Sequence, residues 1–194
     1  MKAKQITLPD GKRIQAQFLG AGAFAKCYLA QDGFVYSIVK NGQKESDYSK
    51  QAVGEWADSD NLHIPEIEFL GEDDNNCLIY KAVYYQNKLT AAHSSAWAEY
   101  KTLKRIWMDN INFDRLGFVQ NNKIIDLARA AGVKESICDA LQSISDSCRN
   151  YGDFYFLEFR TCNLKVNDAG ELILLDAIFN KKALYEAINK KLHG

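Results

Sequence analysis

Proline is scarce in this sequence: Pro9 and Pro65 are the two in 194 residues. That excludes proline-rich linkers, and no low-complexity tract or repeat interrupts the chain. No apolar run approaches the roughly 18 residues that a membrane span needs. The opening Met1-Lys2-Ala3-Lys4-Gln5 is polar and lacks the apolar region of a signal peptide. A cytoplasmic address without a membrane partner is the expectation. Charge of one sign is missing too: 24 Lys+Arg against 25 Asp+Glu leave a formal net charge of −1. An extended nucleic-acid surface is therefore not expected. The five cysteines, Cys27, Cys77, Cys138, Cys148 and Cys162, are odd in number and have no C-x-x-C spacing. They support neither a zinc site nor a disulfide framework, and buried reduced thiols are expected. His63, His93 and His193 share no ligand spacing.

What remains is ordinary globular composition, 47% hydrophobic and 25% charged. The length suits one domain or two small lobes. The first 85 residues read as β-rich. Ile6 to Leu8 and Arg13 to Phe18 flank a Pro9-Asp10-Gly11 turn. Phe24 to Ala30 and Phe34 to Lys40 flank Gln31-Asp32-Gly33. Glu66 to Leu70 and Cys77 to Tyr84 flank the acidic 72–76 turn. Between these runs, Tyr48, Ala52, Val53 and Trp56 have helical spacing, which predicts one helix over 45–60. The second half reads as mainly helical, over 91–108, 124–131, 134–148 and 181–192. It is interrupted by a hairpin of Leu164 to Val166 and Leu172 to Leu175. The expectation is an α+β chain in two parts, 1–85 with a five-stranded antiparallel sheet and one helix, and 86–194, reduced and mainly helical.

Three clusters carry candidate chemistry. Gly20 and Gly22, followed by Phe24, sit at the tip of a strand–turn–strand unit. Glycines there let backbone amides approach a phosphate, although a plain turn explains them as well. Lys40 ends the apolar run from Val35. It is either solvated or aimed at phosphates under the glycine loop, with Glu55 on the expected helix as its pairing carboxylate or as a surface residue. Asn163 and Asp176 flank the late hairpin and offer the oxygen ligands that Mg²⁺ prefers. Glu158 precedes them as a candidate proton acceptor, and Arg160 as a neutraliser of a transferring phosphoryl group. A plain hairpin with a capping aspartate is the alternative, though an acid ending the apolar run 172–175 calls for a partner.

Taken in order, these segments resemble the protein-kinase fold over roughly residues 13–180. Gly20-x-Gly22-x-Phe24 resembles the glycine-rich loop, with Ala25 for the third glycine and Cys27 for the usual valine. Val35 to Lys40 resembles the V-A-I-K strand. Leu157 to Asn163 resembles the catalytic loop R-D-L-K-x-x-N, and Leu174 to Ile178 the metal-binding D-F-G segment. Glu158 replaces the family's aspartate, Phe156 its histidine and Leu157 its arginine. Arg160 matches its lysine, and Ala177-Ile178 replace Phe-Gly. The 18 residues after Asp176 leave no room for an activation loop or substrate-binding helices. In this the chain resembles the minimal kinases of bacteriophages and secreted bacterial effectors.

The resemblance implies ATP and Mg²⁺ as cofactors, with Lys40 on the α- and β-phosphates and Glu55 orienting it. Asn163 and Asp176 would hold the metal, and Glu158 would position the acceptor hydroxyl. Ala82 and Val83 would lie at an adenine-binding hinge near 81–85. It implies a Ser/Thr protein kinase acting on a protein substrate or host protein partner, in the host cytoplasm if phage- or effector-encoded. Two alternatives stand beside it. One is a pseudokinase that binds and regulates a protein. The other is a small-molecule phosphotransferase of the aminoglycoside or choline type.

Overall fold

Strict alternation along the first strands decides the architecture of the N-terminal half. In the computed structural model, which describes residues 4–22, 24–40, 53–54 and 60–193, Ile14 and Ala16 point inward. Arg13, Gln15 and Gln17 between them point to water. The strands are β1 (Lys4–Thr7), β2 (Arg13–Ala21), β3 (Ala25–Ala30), β4 (Phe34–Val39), β5 (Ile67–Glu72) and β6 (Leu78–Val83). They form one antiparallel sheet in the order β1-β2-β3-β4-β6-β5. The sheet thus has six strands and not the expected five, because β1 pairs along β2 with Ile6 opposite Ile14. Local chemistry sets the turns. Gly11 and Gly33 adopt φ of 81° and 85°. The Asp10 and Asp32 carboxylates accept hydrogen bonds from the Lys12 and Phe34 amides.

The two faces of the sheet have different tasks. Ile6, Ile14, Tyr28, Ala30, Tyr36 and Ile79 form a small core of their own on one face. On the other, Ala25, Cys27, Val35, Ser37 and Val39 are left for the second half of the chain. Of the expected helix over 45–60, Val53 and Gly54 are described as helical; Tyr48, Ala52 and Trp56 lie outside the described residues. Val53 is buried in the main core. A Cβ on Gly54 would come within 2.5 Å of Ile67 Cβ, so only glycine fits there.

Beyond a two-residue strand, β7 (Asn87–Lys88), come α1 (Ser94–Asn110), α2 (Gly117–Ala130) and α3 (Glu135–Arg149). Strand β8 (Tyr155–Leu157) and a 3-10 turn at Thr161–Asn163 follow. The chain then runs through β9 (Lys165–Val166), β10 (Leu172–Ile173), β11 (Ile178–Asn180) and α4 (Lys181–His193). The apolar stripe of α3, Ile137, Ala140, Leu141, Ile144 and Cys148, lies at the centre of the main core. Gly132 ends α2 at φ 80°. Its amide donates to Arg129 O, and that of Val133 to Ala128 O, the paired bonds of a Schellman turn. No helix among the described residues is long and apolar enough to cross a membrane.

Several boundaries differ from the expectation. Helix α2 starts at Gly117 and not near 124. Its first residue lies against the Tyr155 backbone, where a Cβ would collide, and its amide donates to Asp153 O. That is a tertiary reason invisible in local propensity. Strands β7, β8 and β11 are two or three residues long, too short to show a period. Two cysteines, Cys138 and Cys148, are buried, with thiol pKa values pushed up to about 11 and about 12 by burial. Cys27 and Cys77 are half-buried, and Cys162 is exposed. The expectation of buried thiols thus holds for two of them.

His63 ties the segment before β5 to the second half. Its ring is 1% exposed. Nδ1 donates to Leu172 O at 2.6 Å, which leaves Nε2 to accept from the Ser136 hydroxyl at 2.9 Å. Its own carbonyl accepts from the Leu174 amide. Burial lowers its pKa below the ordinary 6.5. The unfolded chain therefore binds the proton more tightly than the folded one. Stability is full above pH about 6.5 and falls as pH drops toward the lowered folded value. Urea unfolding of wild type between pH 7.5 and 5 should show this loss. His63→Gln, less stable at neutral pH, should show a flatter profile over the same range.

Candidate active site

The backbone around Glu158 is clamped from three sides. Asn121, 1% exposed on α2, donates from Nδ2 to Tyr155 O and Ser145 Oγ, each at 3.1 Å. Its Oδ1 accepts from the Leu157 amide at 2.9 Å. Trp107 Nε1 on α1 donates to Leu157 O at 2.6 Å. Strand β11 pairs along β8, and the Glu158 amide donates to Ala177 O at 2.8 Å. Phe156 and Leu157 are wholly buried. Phe156 packs edge-on to Phe113 with ring centroids 5.2 Å apart. Both the Phe156 and Leu157 side chains therefore belong to the core.

From this clamp the polar groups project as one unit. Glu158, 8% exposed, accepts from Asn163 Nδ2 at 2.8 Å through Oε2 and pairs with Arg160 Nε at 2.8 Å through Oε1. The Asp176 amide donates to Asn163 O at 2.9 Å, which brings the aspartate beside the turn. Burial, assisted by the Asp176 charge, raises the Glu158 pKa; Arg160 and the Asn163 hydrogen bond oppose the rise. Burial dominates because the carboxylate lies inside while the Arg160 side chain is 65% exposed and screened by water.

Glu158, Arg160, Asn163 and Asp176 form the floor of a cleft of about 310 Å³. Gly22, Phe24, Ala25, Cys27 and Val39 roof it. A Cβ on Gly20 or Gly22 would meet nothing within 4 Å, and neither glycine has positive φ. Packing therefore does not demand glycine in this loop. Gly20 pairs with Cys27 across a β-bulge, so a side chain there would project into the roof. Next to the cleft, and sharing Cys27 with it, is a slot of about 150 Å³. Ala82 and Val83 line it together with Leu19, Val35, Ser37, Tyr80, Tyr84, Tyr85, Lys165 and Leu175. Burial and the neighbouring Lys88 lower the Lys165 pKa.

Among the described residues, two of the expected site residues, Lys40 and Gly20, line neither cleft nor slot. Lys40 is exposed just past the end of β4 and is not among the residues lining cleft or slot. The pleat explains it: Val35, Ser37 and Val39 take the cleft face, so continued alternation puts Lys40 with Tyr36 and Ile38. Glu55 lies outside the described residues. Arg160 is thus the one cation lining the cleft among the described residues. Tyr80, Ser37 and Val35 escaped the sequence reading. Counting back by twos from Val39, and across the sheet from there, would have found them.

The donor set suits a hard cation in part. Asn163 and Asp176 present an amide oxygen and a carboxylate to the same cleft. No group of three or more His, Cys, Asp or Glu able to hold a metal occurs among the described residues. Mg²⁺ held by one or two carboxylates characteristically shares phosphate oxygens.

No protein-family model matches this sequence, and no curated protein matches it. Among solved structures, vaccinia related kinase 3 superposes over 91% of this chain, with TM-score 0.45 and 12% identity; the chain spans 52% of that protein. Aminoglycoside phosphotransferase APH(2'')-Ib with ADP bound superposes over 89%, with TM-score 0.35 and 13% identity, covering 70% of that chain. The ternary complex of APH(2")-IIa with streptomycin and ATP superposes over 87%, with TM-score 0.34 and 14% identity, covering 68% of that chain.

Asn121→Ala should test the clamp. It leaves the buried Leu157 amide and Tyr155 carbonyl each short of a partner, so stability should fall by about 2–4 kcal/mol in denaturant unfolding. A change under about 0.5 kcal/mol would mean that β8 is held by its other bonds.

Proposed function

We propose that this chain is a phosphotransferase of protein-kinase-like architecture, which binds Mg·ATP between sheet and helices and passes a phosphoryl group to a protein hydroxyl. The observation that carries the reading is the hydrogen-bonded unit Glu158–Asn163–Asp176 facing the open glycine loop across one cleft. The slot under Val35 and Ala82 offers apolar walls for a base, and Gly20 and Gly22 leave room for phosphates. Asn163 and Asp176 would hold Mg²⁺, which when bound neutralises phosphate charge.

Glu158 takes the proton of the acceptor hydroxyl as the new O–P bond forms and the bond to the leaving ADP breaks. Its raised pKa makes it a better proton acceptor than an ordinary carboxylate, at the cost of activity in acid. Arg160, fixed by the same carboxylate, places positive charge beside the transferring group. A groove on the far side of Glu158 and Arg160 is walled by Trp107, Phe113, Phe179 and Tyr185 and carries Lys181. Its two cations against one carboxylate disfavour a polycationic acceptor, which supports a protein hydroxyl over an aminoglycoside. The host, phage or effector setting and the Ser/Thr preference rest on the sequence resemblance.

A second reading has its own support. Glu158 is already paired with Arg160 and Asn163, and Lys40 does not line the cleft. A pseudokinase that binds nucleotide without transfer, and acts through a protein partner, fits both facts.

Thermal unfolding with ATP, with and without Mg²⁺, decides first whether a nucleotide site exists. At about 100-fold excess over Kd the midpoint should rise by roughly 5–10 °C. The Mg²⁺-dependent part should vanish in Asp176→Ala. Gly22→Val should keep the unliganded midpoint and lose most of the shift. No shift at millimolar Mg·ATP would overturn the proposal. Autophosphorylation with radiolabelled ATP then separates the two readings. An active enzyme incorporates phosphate, loses incorporation in Glu158→Gln, and slows below a pH midpoint above the ordinary 4.5. A pseudokinase binds and incorporates nothing.

A further inference from the structure

We propose that the phosphoryl acceptor is a tyrosine whose ring sits in the aromatic groove beyond Glu158, an inference that rests on the phosphotransferase reading above. Three spaces run in a row. The slot and the cleft share Cys27. The cleft and the groove share Glu158, Arg160, Phe179 and Leu184. Slot and groove share no lining residue. With the base in the slot and the phosphates in the cleft, the groove lies at the end away from the leaving ADP. An in-line attack on the terminal phosphate begins at that end. Glu158 lines both spaces there, so a hydroxyl at the inner end of the groove meets the proton acceptor and the phosphate together.

The groove suits a ring. Its volume is about 220 Å³, and Trp107, Phe113, Phe179 and Tyr185 wall it. Phe113 stands edge-on to Trp107 and to Phe179, with ring centroids 6.5 and 6.0 Å apart, so these walls are set before anything binds. Lys181 Nζ donates to Phe113 O at 2.6 Å and lies 5.7 Å from the Tyr185 ring centroid, which ties the start of α4 to the groove. Tyr185 is 51% exposed, a ring that a guest would cover. Glu158 is the one carboxylate among the described residues lining the groove, and both its oxygens are engaged. A serine or threonine carries its hydroxyl on the first side-chain carbon. It could reach Glu158 only by drawing its own backbone in among the rings, where its N–H groups would lose water for few partners. A tyrosine carries its hydroxyl at the far edge of a ring. Its backbone stays outside, its ring meets other rings, and its oxygen arrives at Glu158. The walls thus favour tyrosine over the serine or threonine that the resemblance implies. The phenolic oxygen bonds to the terminal phosphorus, its proton passes to Glu158, and ADP departs with the electrons of the broken P–O bond.

The test offers the full chain, with radiolabelled Mg·ATP, two peptide libraries whose degenerate flanks contain no hydroxyl residue. One has tyrosine fixed at its centre, the other serine and threonine. The tyrosine library should carry nearly all of the incorporated phosphate. Tyr185→Ala, a change at an exposed side chain, should cut that incorporation on the order of 3–10-fold, the worth of one aromatic contact, while its calorimetric affinity for Mg·ATP stays that of wild type. Phosphate carried mainly by serine and threonine, or equally by the two libraries, would overturn the inference and leave the phosphotransferase reading standing. So would full tyrosine incorporation by Tyr185→Ala, or a loss of its Mg·ATP affinity, which would put Tyr185 at the nucleotide instead. If wild type labels neither library, the phosphotransferase reading fails, and this inference with it.

Discussion

The placement of Glu158 depends on one buried amide. Asn121 bonds to the backbone on both sides of Phe156, and in doing so fixes a three-residue strand that could not hold itself. A strand this short, read alone, has no stability. It persists because Asn121, Trp107 and β11 satisfy its backbone groups inside an apolar core, where an unmade hydrogen bond is costly. The Glu158 unit of the cleft is built outward from that strand. Glu158 is its next residue, Asn163 bonds back to Glu158, and Asp176 hangs on Asn163.

Burial and charge are balanced within this unit. A carboxylate beside Asp176 inside the protein would resist ionisation. Arg160 and the Asn163 amide oppose that tendency, so Glu158 keeps a raised pKa without standing unpaired. The roof is made differently. It has almost no polar side chains and presents backbone and empty space at Gly20 and Gly22. A charged floor below an open loop and an apolar slot at the side form a site with distinct ends. Cys27 belongs to both, where the sheet passes from one to the other.

Much of the fold was legible in the sequence because its signals are local. The Asp-Gly turns, the alternation in β2 and the apolar stripe of α3 each depend on residues a few positions apart. The candidate site was legible in part. Glu158, Arg160, Asn163 and Asp176 meet in one cleft with Gly22 and Phe24, and Ala82 and Val83 lie in the adjoining slot. Lys40 shows the limit of motif matching. A lysine at the end of an apolar run fits the expected pattern, but one step along a pleated strand changes the face. Gly117 shows another, since a glycine that reads as a helix breaker begins α2 because the Tyr155 backbone, 38 residues later in the sequence, passes close by.

By itself, the sequence determined the six strands of the large sheet, the apolar stripe of α3, where the chain turns, and which polar residues cluster near the late hairpin. Those outcomes follow from backbone preferences and from periodicities of 2.0 and 3.6 residues. Only the tertiary structure decided the rest. It chose which sheet face lines the cleft, left Lys40 off it, and paired β8 with β11. Each of these depends on atoms far apart in sequence, whose meeting no local preference encodes.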